Sequence, residues 1–238
     1  MKNLILCPGL PRSGTTTLWK LLSLDDSVMK ESQYLFAMYN FDSSYPKLYP
    51  EDAVRMHKQF IIEMHKYDLN FSSPYSFEDY SQYINDVPFD FSQTNWLLSE
   101  QYLKEIKESL PQFNIKIILM YREPIDRLYS YCNMICSNWN SGVSAKELFL
   151  EYVKECDTLY VDVYTKFKNV FDDVICLSTE KFFNNQEEYD RLTDFLNIPT
   201  IKADSTYENK REYPPLSQDE IDSAKKLMPS SYEFYLKI

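Results

Sequence analysis

The stretch "GLPRSGTTTL", residues 9 to 18, follows the short apolar run "NLILC" and gathers residue types that hold anions. Arg12 carries a permanent charge on a planar fork of donors, and Ser13, Thr15, Thr16 and Thr17 each bring a hydroxyl. A strand running into a glycine-containing loop that opens a helix aims backbone N–H groups and the positive end of the helix dipole at one point. Phosphate binds at such points. Gly9 and Gly14 have the spacing of the phosphate loop G-x-x-x-x-G-K-[ST], but Thr15 stands where that pattern requires lysine. With no obvious strand ending in a magnesium-binding aspartate, phosphoryl transfer from ATP is poorly supported. The plain alternative is a tight turn that begins a helix.

A second group of candidates lies in "IKIILMYREPIDRLYSYCNM", residues 115 to 134. Arg122 leaves the carboxyl end of an apparent parallel strand, the place where open α/β sheets bind ligands. Ser130 falls on the following helix, so the two side chains can converge on one dianion. Read alone, this is an arginine before a proline at a helix start.

Together the two stretches resemble the sulfotransferases that use 3′-phosphoadenosine 5′-phosphosulfate (PAPS). "LPRSGTTTL" is similar to that family's 5′-phosphosulfate loop, P-[KR]-S-G-T-T-x-L, and Arg122, Pro124, Arg127 and Ser130 match its 3′-phosphate segment, R-x-P-x-x-R-x-x-S-x-[YH]. The resemblance implies that residues Arg12, Ser13, Gly14, Thr15, Thr16 and Thr17 hold the phosphosulfate, with Arg12 taking charge from the bridging oxygen. It implies that Arg122 and Ser130 clamp the 3′-phosphate, that 3′,5′-adenosine bisphosphate is the product, and that no metal is needed because the donor already carries a good leaving group.

Looser matches complete the resemblance. "KESQYLF" (30 to 36) resembles K-E-P-x-x-F of carbohydrate-type members, which makes Glu31 the candidate general base, with Ser32 in place of the proline. "DFSQTNW" (90 to 96) resembles G-E-K-[ST]-P-x-Y, with Gln93 for the lysine and Asn95 for the proline. "LSTEKFFNNQEEYDRLTDFLNIP" (177 to 199) keeps Glu180 of an acidic pair and reads as architecture. "ENKREYPPLSQDE" (208 to 220) resembles the K-G-R-x-Y-P-x-[LM] loop that closes over the nucleotide, which gives Lys210 and Arg211 a binding role. The implied acceptor is a hydroxyl, or an amine, of a carbohydrate or small molecule. Two other readings stay open: a P-loop kinase dependent on ATP and magnesium, and a non-catalytic nucleotide-binding module, which the altered Ser32 and Gln93 favour.

The elements that must position these residues alternate. "NLILC", "IKIILMY" (115 to 121) and "DDVICLS" (172 to 178) are short apolar runs of the kind buried on both faces of a parallel sheet. Leu98, Leu103, Ile106 and Leu110 precede the stop at Pro111, and Ile125, Leu128, Cys132 and Ile135 follow Pro124 in a first turn. "SQDE" (217 to 220) forms a capping box before Ile221, Ala224 and Met228. The expected fold class is α/β, a three-layer α/β/α arrangement on a central parallel sheet, with the resemblance implying the P-loop nucleoside triphosphate hydrolase-like sulfotransferase fold. All 238 residues are read as one domain, interrupted at about 37–90 by an aromatic-rich insertion or lid. Its one clear helix, 51–67, carries Ala53, Met56, Phe60 and Met64 on a core stripe, and the two histidines, His57 and His65, read as surface or packing residues.

Composition narrows the class. With 44% hydrophobic and 16% aromatic residues the chain can bury a substantial core, and a net charge of -11 without a basic run argues against nucleic acid and anionic membranes as partners. Any anion must be held locally. Five cysteines lack zinc spacing, and no stretch reaches the roughly 18 apolar residues of a membrane span. The expectation is a cytoplasmic protein with reduced thiols, no metal site and no signal peptide.

Overall fold

The structure, a computed structural model, describes residues 2–22, 32–41, 44, 76–139, 142–183, 185–202 and 213–238. Glu31, Lys210, Arg211 and the predicted 51–67 helix with His57 and His65 lie outside the described residues. The chain forms two compact units: Met1–Gly9, Leu18–Ile118 and Lys166–Val174 make the first, and Leu10–Thr17, Leu119–Thr165 and Ile175–Ile238 the second.

Four strands, β1 (Lys2–Leu6), β2 (Phe89–Asp90), β3 (Phe113–Tyr121) and β4 (Asp173–Ser178), make one sheet in the order β2-β1-β3-β4. β1 pairs in parallel with β2, placing Ile5 opposite Phe89, and with β3, placing Leu4 opposite Ile115. Residues 117–121 of β3 are buried without alternation, as a strand covered on both faces requires. The fold class is α/β, as the apolar runs indicate. β2 carries no comparable signal, being two residues long, and its pairing makes the end of the 37–90 stretch part of the sheet.

In the first unit, α2 (Tyr34–Phe41), α3 (Phe77–Asp86) and α4 (Glu100–Ser109) supply an aromatic core. Ser76 caps α3 by accepting from Asp79 N, and Ser99 caps α4 by accepting from Tyr102 N. Tyr39, Tyr80 and Tyr83 of the aromatic-rich stretch are buried, with Tyr39 edge-on to Tyr102 at 5.1 Å and Tyr34 beside Tyr80 at 5.3 Å. Leu98 and Leu110, expected on the helix, flank α4 instead and are fully buried there.

The second unit holds α5 (Pro124–Trp139), α6 (Ala145–Tyr152), the short α8 (Thr179–Phe182), α9 (Gln186–Leu196), α10 (Gln218–Leu227) and α11 (Pro229–Lys237). The seven-residue α1 (Thr15–Leu21) and α7 (Leu159–Val170) each run from one unit's residues into the other's. Pro124 sits at the first position of α5, where its missing N–H costs nothing. The box at Ser217 and Glu220 forms as the sequence indicates, each side chain bonding the other's backbone N–H. Among the described residues, no helix is long and apolar enough to cross a membrane.

One buried carboxylate organises the first unit. Asp90 is fully buried and accepts from Ser32 Oγ, Tyr80 OH and Ser92 N, each at 2.9 Å. Ser32 Oγ in turn accepts from Tyr34 N at 3.2 Å, so this hydroxyl, where the motif it resembles has proline, ties the start of α2 to the end of β2. Burial, then the Asp90 charge, pushes the Tyr80 phenol well above its ordinary value, which keeps it a donor. Asp90→Ala leaves these donors without their acceptor and is expected to destabilise the protein by about 2–4 kcal/mol in urea denaturation. A midpoint equal to wild type would show that the network carries no stability.

Candidate active site

The phosphate-loop candidates all fall in the second unit, as do Arg122 and Ser130. Ser13 N donates to Leu10 O at 3.3 Å and Thr17 N to Gly14 O at 3.1 Å, closing the turn and starting α1. Arg12 has φ +72° and Gly14 φ +82°. Left-handed backbone costs a residue with a Cβ about 1–2 kcal/mol, so the Arg12 conformation is held by its surroundings.

Those surroundings are identifiable. A Cβ on Gly14 would stand 3.1 Å from Thr179 Cγ2 and 3.2 Å from Phe183 Cε2, closer than side chains normally pack. Thr179 Oγ1 also donates to Ser13 O at 2.8 Å. Gly14 is therefore needed both for its φ and because α8 and the residue after it press against the loop from the protein's own side. Sequence reasoning missed Thr179 and Phe183, since nothing in "STEKFF" marks a contact with residue 14.

Ser13, Thr15 and Thr17 are buried, whereas Arg12, Gly14 and Thr16 are half-buried. The Ser13 hydroxyl is fully buried and has no hydrogen-bond partner. Buried hydroxyls are rarely left so, because the unmade bond costs free energy.

The second stretch meets the first through Ser130. This serine, on α5 and nearly fully buried, accepts from Arg12 Nε at 3.0 Å. A hydroxyl that accepts from a guanidinium is the stronger donor of its own proton. Tyr213 OH lies 3.5 Å from Ser130 Oγ, and Tyr129 OH donates to Pro214 O at 2.7 Å, so the late "YPP" segment also reaches this place.

Arg122 follows β3 directly and is half-buried, with Glu180 at 3.8 Å and Asp126 at 3.9 Å, both beyond hydrogen-bond length. Its carbonyl accepts from Tyr160 OH at 2.6 Å. Arg127, which the motif places in register with Arg122, is buried with its guanidinium 5.6 Å from the centre of the Tyr160 ring. Its Nε and Nη2 have no hydrogen-bond partner, and the ring's negative face is the compensation the structure supplies. Burial pushes the Tyr160 phenol above its ordinary value, with the Arg127 charge opposing.

A model of the sulfotransferase family matches residues 5–202, which include both stretches. The chain belongs to the sulfotransferase family. Among solved structures, the sulfotransferase domain from the curacin biosynthetic pathway superposes with a TM-score of 0.53 at 14% identity, covering 95% of this chain and 98% of that one. At that identity the likeness speaks for the fold alone, and the fold of this sulfotransferase is the shared one. No curated protein sequence matches the chain.

Gly14→Ala in this sulfotransferase is expected to cost about 1–3 kcal/mol by forcing a methyl against Thr179 and Phe183 at positive φ, read as a lower urea midpoint. An unshifted midpoint for Gly14→Ala would mean that the loop is not braced as described.

Proposed function

We propose that this protein transfers the sulfuryl group of PAPS to a hydroxyl, or an amine, of a carbohydrate or small-molecule acceptor in the cytoplasm. The hydrogen bond from Arg12 Nε to Ser130 Oγ carries the reading. In the family pattern the Arg12 segment holds the 5′-phosphosulfate and the Ser130 segment the 3′-phosphate. These are two anionic groups of one nucleotide, and the two segments touch.

The residues fit such a ligand. Ser13 offers a buried hydroxyl without a partner, Ser130 an activated one, and Arg122 a guanidinium not saturated by hydrogen bonds to its neighbouring carboxylates. Tyr213 beside Ser130 favours a role for Lys210 and Arg211, just before it in sequence, in closing over the nucleotide.

PAPS supplies an electrophilic sulfur whose bond to the bridging oxygen breaks with the electron pair remaining on the 5′-phosphate. Arg12, Ser13, Thr15, Thr16 and Thr17 stabilise that charge with donors fixed in advance, which is where such sites gain most. Glu31 takes the proton of the acceptor oxygen as it attacks sulfur in line, and no metal takes part. Arg122 and Ser130 fix the far end of the nucleotide and so hold the sulfur on that line.

Calorimetric titration with 3′,5′-adenosine bisphosphate tests the donor site. Binding is expected without metal, and Arg122→Ala is expected to weaken it by about 10- to 100-fold, the range of a charged hydrogen-bonded contact. Binding of ATP with magnesium, and none of the bisphosphate, would return the loop to the kinases.

Once an acceptor is found by transfer of labelled sulfate, Glu31→Gln should lower turnover by about 100-fold or more while leaving bisphosphate affinity unchanged. Undiminished turnover would remove Glu31 from the chemistry.

A further inference from the structure

The C-terminal helix α11 reaches Glu180, which stands beside the Arg122 guanidinium, and Glu123, the next residue in the chain. Tyr235 OH donates to Glu180 Oε2 at 2.7 Å, and Tyr232 OH donates to Glu123 Oε1. The two tyrosines are three positions apart and share one helix face. Glu180 uses its other oxygen to accept from Glu123 N at 3.1 Å and stands 3.8 Å from Arg122 Nε. Glu123 uses its other oxygen to accept from Asp126 N at 2.8 Å, in the first turn of α5.

The helix itself is anchored. Ser230 N and Oγ donate to the two oxygens of Asp157 at 2.7 and 2.9 Å, Ser231 Oγ donates to Asp157 O at 2.6 Å, and Phe234 packs against Tyr121 at 5.2 Å and Tyr164 at 5.3 Å. The family match ends at residue 202, short of this helix.

We infer that α11 is a positioning element for the 3′-phosphate clamp: Tyr235 fixes Glu180, which bonds Glu123 N and stands beside the Arg122 guanidinium, and Tyr232 fixes Glu123, which bonds Asp126 N, so the backbone that carries Arg122 is held on both sides. This rests on the proposed role of Arg122. Without Tyr235, Glu180 Oε2 loses its shorter hydroxyl partner and the carboxylate loses a restraint that keeps it from turning toward Arg122, where it would take up donors that a phosphate uses. The tyrosines touch no ligand and act through the arginine.

The test compares two nucleotides that differ only in the 3′-phosphate. Affinities for 3′,5′-adenosine bisphosphate and for adenosine 5′-monophosphate are measured by calorimetry on wild type, Tyr235→Phe and Tyr232→Phe, with thermal midpoints recorded. Each phenylalanine keeps the ring and removes only the hydroxyl from which Glu180 or Glu123 accepts, with no change of charge beside Arg122.

Wild type is expected to prefer the bisphosphate. Each variant should bind the bisphosphate about 3- to 10-fold more weakly, with monophosphate affinity unchanged. A parallel loss for both nucleotides means a merely structural helix and overturns the inference, as does a preference undiminished in the variants. If Tyr235→Phe fails to fold, Tyr232→Phe decides by the same comparison. A wild-type protein without the preference overturns the donor reading itself, and this inference with it.

Discussion

The hydrogen bond between Arg12 and Ser130 joins residues 118 apart in sequence, and most of the second unit can be understood as what keeps its two ends in place. On one side the backbone must hold Arg12 in a left-handed conformation that a residue with a Cβ resists. Thr179 and Phe183 brace it by pressing on Gly14 and bonding Ser13 O. On the other side Ser130 must face the loop from the first turns of α5, whose start is set by Pro124 and by the Glu123 carboxylate on Asp126 N. A shift of an ångström at either end breaks the bond, because hydrogen bonds weaken steeply with distance and angle.

The charge of the molecule makes that local precision necessary. A chain carrying -11 repels anions at long range, so it attracts one only where donors are dense and close. Even there the surroundings are acidic, since Asp126 and Glu180 stand within 4 Å of the Arg122 guanidinium. An arginine so placed is screened and oriented without being consumed, because neither carboxylate is near enough for a hydrogen bond. Arg127 is handled differently, buried against the Tyr160 ring with no carboxylate paired to it among the described residues.

The sequence was most readable where one residue type answers one local demand. Runs of Ile and Leu marked β1, β3 and β4, Ser217 and Glu220 marked a helix start, and Arg12 and Ser130 stood in motifs whose geometry is set by a strand turning into a helix. β2 was illegible because two residues carry no period, and it is a strand only by pairing with β1. Tertiary partners were equally hidden. Nothing local marks Asp90, yet it is the buried acceptor that Ser32 Oγ bonds. Thr179, Tyr232 and Tyr235 act only through residues distant in sequence, and no local pattern announces such contacts.

The bond from Thr179 to the Ser13 carbonyl has a consequence for how the protein comes into being. It spans 166 residues, so during synthesis the loop emerges long before the side chain that holds it. Closing so long a segment costs only logarithmically more than closing a short one, but it cannot begin until the distant partner is made. A nascent chain therefore carries the anion loop without this brace until Thr179 has been made, and a braced loop waits on that distant residue rather than on its own neighbours.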